Sequence, residues 1–161
     1  MGRFGEALEV VLHFEGGYSD HPDDPGGATM KGVTQRVYHS WLRDQGLPTR
    51  PVRSIKQHEL EAIYRWRYWG PAHCAELPDP LDIIHMDAAV NTGYRQAIRL
   101  LQRAAGSTVD GVWGPMTRAA VDEAPALWLA DDALWTRAEF YRDLVRKPRE
   151  DGRDLAGGHR D

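Results

Sequence analysis

A single cysteine, Cys74, leaves this 161-residue chain without an internal disulfide. That excludes a disulfide-framed scaffold and suits synthesis in a reducing compartment. With no second cysteine beside it, Cys74 reads as a small apolar residue of the interior rather than a metal ligand. Long apolar runs are missing too: none approaches the roughly 18 residues that span a bilayer, so membrane insertion is not expected. The opening residues, Met1-Gly2-Arg3-Phe4-Gly5-Glu6, lack the apolar region of a secretory leader; the expectation is a chain made in the cytoplasm. Positive charge is not in excess. The formal net charge is -4, and a nucleic-acid protein would show a basic stripe to neutralise phosphates. No nucleic-acid partner is expected.

Metal and nucleophile signatures are also wanting. The cluster Asp20-His21-Pro22-Asp23-Asp24 lacks the alternating ligands and closing Glu of a calcium loop. His58-Glu59 has no second histidine to make a zinc helix, and there is no Gly-x-Ser-x-Gly elbow. Neither a metal nor a cofactor is expected.

What is present is a mainly α pattern broken by Gly and Pro. Phe4, Leu8, Val11 and Leu12 recur at helical spacing, which predicts a helix from residue 3 to about 15, stopped by Gly16-Gly17. The stretch 18–31 holds too much Gly and Pro for a regular element. Further helices are predicted from about Thr34, as N-cap, to Asp44; through Leu60, Ile63, Tyr64 and Tyr68, ending before Gly70-Pro71; from Leu81 to Val90; and through Ala97, Ile98, Leu101 and Ala104. Met116 to about Glu123 makes a shorter one. The last starts at Pro125, a favoured first-turn residue, and runs to about Lys147. Residues 45–53 read as a linker. The expected organisation is a catalytic region over 1–92, a helical region over 93–147 packed in the same compact unit, and a weakly ordered tail over 148–161.

The chemistry concentrates near the N-terminus. Glu15 ends a helix and opens onto a loop carrying Asp24, Thr29 and Thr34. Glycoside hydrolysis needs a protonated carboxylic acid for the leaving oxygen, and a second carboxylate or a positioned water at the anomeric carbon. Phe14, Tyr18 and the negative end of the helix dipole are placed to raise the pKa of Glu15, and Gly26 and Gly27 let backbone approach a sugar. Taken singly, a Glu before Gly-Gly is also what an exposed helix end looks like, and Asp24 is also what caps a turn.

The ordered motifs Glu15-Gly-Gly-Tyr18, Asp24-Pro-Gly-Gly-Ala-Thr29 and Lys31-Gly-Val-Thr34 resemble the opening of glycoside hydrolase family 108, phage and prophage muramidases. Ile63-Tyr64 with Tyr68-Trp69, and Asp87-Ala-Ala-Val-Asn91-Thr-Gly93, resemble its central helices. Leu101-Gln102 and Asp110-Gly-Val-Trp-Gly-Pro-Met-Thr117 resemble its C-terminal peptidoglycan-binding region. The resemblance implies a lysozyme-like helical fold, with a small β-hairpin near residues 18–33, and Glu15 as catalytic acid. It further implies cleavage between N-acetylmuramic acid and N-acetylglucosamine without a cofactor, bacterial peptidoglycan as the partner, and a holin for export to the cell wall. In the wider group of phage lysozymes an Asp stands nine positions after the Glu, as Asp24 does here. The Thr expected six positions later falls on Met30, with Thr29 beside it. The family's closing Gly-Trp segment has no counterpart in Leu155-Ala-Gly157-Gly158-His-Arg-Asp161.

Other substrate contacts are expected at Tyr18, Tyr68, Trp69, Asp87, Asn91 and Trp113. Asp87 and Asn91, four apart, share one helix face, either as a buried pair or as part of the cleft. Tyr68 and Trp69 suit either sugar stacking or the core. Two other readings stay open: a non-catalytic peptidoglycan-binding module of a phage tail or secretion machine, and a chitinase-like activity.

Overall fold

A computed structural model describes residues 2–20 and 27–146. Within them the chain forms seven α-helices and one small sheet, the mainly α, lysozyme-like layout expected. The first helix, α1 (Arg3–Phe14), buries Phe4, Ala7, Leu8 and Val11. That is one stripe at i, i+3, i+4 and i+7. Glu15 follows in extended conformation and its N–H still donates to the Val11 carbonyl, so α1 ends one residue earlier than predicted.

The expected hairpin is a three-stranded antiparallel sheet: β1 (Tyr18–Ser19), β2 (Thr29–Met30) and β3 (Val33–Thr34) in the order β1-β2-β3. Tyr18 pairs with Met30, Ser19 with Thr29, Thr29 with Thr34 and Met30 with Val33. The two-residue turn Lys31-Gly32 has positive φ at both positions, 47° and 74°. This turn type matches the natural twist of a hairpin, and glycine takes its second position without strain. From β3 the chain enters α2 (Gln35–Asp44), whose N-cap is Thr34; its side chain accepts from the Val37 N–H.

Residues 45–53 are a connection, as read, with one 3-10 turn at Val52–Ser54. The helix α3 (Gln57–Tyr64) then starts three residues before the first predicted apolar position, and a π-helical turn, Arg65–Trp69, extends it. Inside its first turn, buried Glu59 accepts from the Lys56 N–H (2.9 Å) and from Tyr38 Oη (2.8 Å) and pairs with Arg50.

The centre of the molecule is α4 (Leu81–Thr92). It is apolar on nearly every side, the signature of a helix covered all round. It packs against α1 on one side and against α5 (Tyr94–Ala104) and α7 (Ala126–Arg146) on the other. Accordingly it serves two cores. Met86, Ala88 and Ala89 join the cluster of α1, α2 and α3. Leu81 joins the one formed with Leu77, Leu101, Val121, Leu129 and Ala130. Between α5 and α6 (Pro115–Glu123) lies a loop folded around one buried side chain. Gln102 Nε2 meets Asp110 Oδ1, the Val112 carbonyl and Thr117 Oγ1, while its Oε1 accepts from the N–H groups of Asp110 and Gly111. Among the described residues no helix is long and apolar enough to cross a membrane.

Candidate active site

Glu15 is held at the point where α1 meets the sheet. Its carboxylate lies against the β2–β3 turn: a Cβ added to Gly32 would fall 2.8 Å from Glu15 Oε2 and 2.6 Å from Tyr64 Oη. A side chain there would have to displace Glu15 or the buried Tyr64, on a backbone at positive φ. Beneath the turn, Tyr64 is fully buried and its Oη donates to the Lys31 carbonyl (2.9 Å). This bond fixes the height of the turn, and with it the space left for the carboxylate. Burial, together with the charge of Glu15 and the neighbouring Tyr68, pushes the Tyr64 phenol well up, so Tyr64 keeps the proton it donates to the turn. Tyr68 packs at a tilt on Tyr64, ring centroids 5.4 Å apart.

Partial burial raises the Glu15 carboxyl above the usual carboxylate range, and the charge of Asp87 raises it further. Two carboxylates 72 positions apart in the chain are thereby brought into one electrostatic environment. Asp87 itself is tethered. Arg137, from α7, ion-pairs with its Oδ2, and Asn91 Nδ2 donates to its Oδ1 (3.1 Å) and to its backbone carbonyl (2.8 Å). The i, i+4 spacing of Asp87 and Asn91 on α4 makes that contact possible. The pair is not sealed in the core: Asn91 is exposed and Asp87 half-buried.

The remaining sequence-derived candidates divide. Thr29 and Thr34 face each other across β2 and β3, within two residues of the Gly32 turn. Thr29 Oγ1 donates to the Gly27 carbonyl (3.2 Å), and Thr34 Oγ1 caps α2 (3.3 Å). Tyr18 is exposed at the sheet edge and donates to Asp20 (3.0 Å). Gly27 has a positive φ of 67°. Asp24 and Gly26 lie outside the described residues.

Trp69 is a core residue, 5% exposed and edge-on to Phe4 at 5.5 Å. The edge it does show lines a groove of about 720 Å³ along α1, with Phe4, Leu8 and Arg65; Glu15 is not among the walls. Its burial leaves no ring face for a sugar to stack on, so the expectation of sugar contact at Trp69 is corrected. Trp113 is half-buried and engaged, stacked on His73 at 5.4 Å with its Nε1 donating to Glu76 (3.3 Å).

Three contributors to the site were not singled out from the sequence: Gly32, Tyr64 and Arg137. The Lys-Gly dipeptide between two short β stretches was the available signal for the first. Nothing local marks Arg137, which acts 50 residues away from its partner.

No group of three or more potential metal ligands occurs among the described residues. The arrangement offers a carboxylic acid of raised pKa within the field of a tethered carboxylate, at a turn flanked by two threonine hydroxyls. This is equipment for acid-assisted hydrolysis.

Comparison with known proteins agrees with this chemistry. The family described as "Glycosyl hydrolase 108" matches residues 8–93, and the family described as "Predicted Peptidoglycan domain" matches residues 96–161. No curated protein sequence matches the chain. Among solved structures, SagA of Brucella abortus is similar at 32% identity and a TM-score of 0.73, covering 86% of this chain and 79% of that one.

Proposed function

The chain belongs to the glycosyl hydrolase 108 family, and we propose that it is an N-acetylmuramidase, cutting the glycan strand of bacterial peptidoglycan between N-acetylmuramic acid and N-acetylglucosamine. The observation that carries this reading is Glu15 itself. It is a carboxyl group with its pKa raised by burial and by Asp87, pressed against a glycine turn, in a chain whose second half matches a peptidoglycan domain.

In this mechanism Glu15 gives its proton to the glycosidic oxygen as the bond to the anomeric carbon breaks. Positive charge develops on that carbon, water attacks it and gives its proton to Asp24 or to solvent, and the Glu15 carboxylate regains a proton from solvent. Asp87, fixed by Arg137 and Asn91, supplies a negative field towards the oxocarbenium-like centre without having to reorganise. Asp24 and the Thr29 and Thr34 hydroxyls are the candidates to orient the water. Tyr18, Gly26, Gly27, Tyr68 and Asn91 remain the proposed sugar contacts. As an endolysin the enzyme would reach the wall from the cytoplasm with a holin as its export partner.

The test is release of reducing sugar from purified peptidoglycan by the wild type and by Glu15→Gln, with mass spectrometry of the new reducing ends. Cleavage by the wild type alone, leaving reducing muramic acid, is the expected result. Reducing glucosamine ends would overturn the bond assignment. Wall binding without cleavage by either protein would make the chain a binding module.

A further inference from the structure

The net charge of -4 conceals a local excess of the opposite sign. Along α5 run Arg95, Arg99 and Arg103, spaced four apart and therefore on one face, and the helix carries no acidic residue. Where this face meets the loop after α5 there is a cavity of about 310 Å³, walled by Arg95, Arg99, Tyr94, His73, Gly111 and Trp113 among others. It lies apart from Glu15 and the Gly32 turn and includes Trp113; Ile98, Arg99 and Asp110 to Trp113 fall within the peptidoglycan-domain match, and Arg95 stands just before it.

The cavity is constructed rather than incidental. Gly111, at φ 78°, comes so close that an added Cβ would lie 3.1 Å from Arg99 Nε and Cζ and 3.1 Å from the Arg95 carbonyl. The loop thus lies against the Arg99 guanidinium and restricts its motion. Gln102, buried beneath, fixes the loop through its bonds to Asp110, Gly111 and Val112. On the other wall His73 and Trp113 are stacked almost parallel, 15° apart, which presents a rigid aromatic flank. The acid in the lining, Asp110, is already engaged by Gln102 Nε2 and the Val112 N–H. Arg95 is exposed and has no ion-pair partner among the described residues.

Two guanidinium groups one helical turn apart, one of them without an ion-pair partner among the described residues, are suited to a planar oxyanion held in bidentate fashion. The cavity, about 310 Å³, is too small for a run of sugars, and its aromatic flank offers apolar contact next to the anion. Peptidoglycan offers that ligand: its glycan carries short stem peptides with free carboxylates. We propose that this cavity binds a carboxylate of a peptidoglycan stem peptide, with Arg95 as principal anchor and Arg99 as its pre-positioned second donor. The proposal rests on the reading above that the chain works on peptidoglycan. It makes the second half of the chain a reader of stem peptides while the first half cuts the strand.

Calorimetric titration of the full chain with two soluble ligands tests it: a disaccharide–tetrapeptide, and the same disaccharide with its peptide removed. The expected result is at least tenfold tighter binding of the peptide-bearing ligand by the wild type. Arg95→Ala abolishes that preference and Arg95→Lys restores it in part, each variant melting like the wild type. Equal binding of both ligands by the wild type, or an undiminished preference in Arg95→Ala, overturns the proposal. So does displacement of the peptide-bearing ligand by equimolar inorganic phosphate, which would mark an unselective anion site. Reducing-sugar release by the wild type from peptide-free glycan strands is measured in parallel. If strands are cut but stem peptides are not preferred, only the stem-peptide site fails; if no strand is cut, the muramidase reading fails.

Discussion

Glu15 has its acidity set by burial first and by Asp87 second. A general acid must be protonated to act, so activity should fall as pH rises through its pKa. Asp87→Asn removes the charge that raises this pKa and leaves Arg137 unpaired nearby, which pushes the same way. The falling limb of the kcat/KM profile should therefore move to lower pH in that variant, and an unmoved limb would remove Asp87 from this role. The same raised pKa has a stability consequence. A carboxyl whose folded pKa lies above its unfolded value stabilises the fold below the unfolded pKa, and that contribution is lost as pH rises through the folded one. At pH values above that folded pKa the Glu15 carboxylate therefore works against folding, and there Glu15→Gln should melt higher than the wild type. At Gly32 alanine would meet a left-handed backbone and two oxygens under 3 Å away. Strain of about 1–2 kcal/mol from the backbone alone, plus displacement of Tyr64 or Glu15, should show as a lower midpoint in urea and lost activity together.

Among the elements, α2 depends on its cap. Thr34→Ala should cost about 1 kcal/mol by chemical denaturation, and Thr34→Ser should recover most of it. If kcat falls far more than stability, Thr34 has a catalytic part beyond the cap. The loop after α5 depends on Gln102. Removing its amide would take away the partner of two buried groups, the Gly111 N–H and the Thr117 hydroxyl, at about 1–3 kcal/mol for each left unsatisfied. Gln102→Leu should therefore destabilise by more than any exposed substitution in the same loop, read as a shift in thermal midpoint. At the start of α3, burial acts to raise the Glu59 pKa, but the Lys56 N–H, Tyr38 and Arg50 outweigh it and hold it below the usual range. Its contribution is present above the unfolded pKa and disappears as pH falls through the folded one.

For the whole molecule, the decisive fact is that α4 belongs to both cores. The family matches meet between residues 93 and 96, which invites cutting the chain there. Residues 2–93 alone would expose the side of α4 that α5 and α7 cover and would lose the Arg137 tether on Asp87. That fragment should show no cooperative thermal transition by circular dichroism. A sharp transition near that of the full chain would mean that the first core suffices.

Much of this was legible in one dimension because it is locally determined. Helical periodicity placed α1 and α5 within a few residues, since burying a stripe at 3.6 spacing is a property of the segment itself, while α2 was marked by its Thr34 cap and α4 by its apolar run. Gly16-Gly17 fixed the end of α1 and so put Glu15 at its margin. The ordered motifs carried the family. Aromatic character, by contrast, does not say which way a ring points: Tyr68 lies on Tyr64 beside the site, while its neighbour Trp69 turns into the core. The charge balance hid the arginine face of α5 because a sum over the chain has no direction. The field on Glu15 is decided only in three dimensions. Asp87 is 72 positions further along the chain and its tether to Arg137 spans another 50. Electrostatic coupling depends on distance through space, which only the packing of α1, α4 and α7 sets.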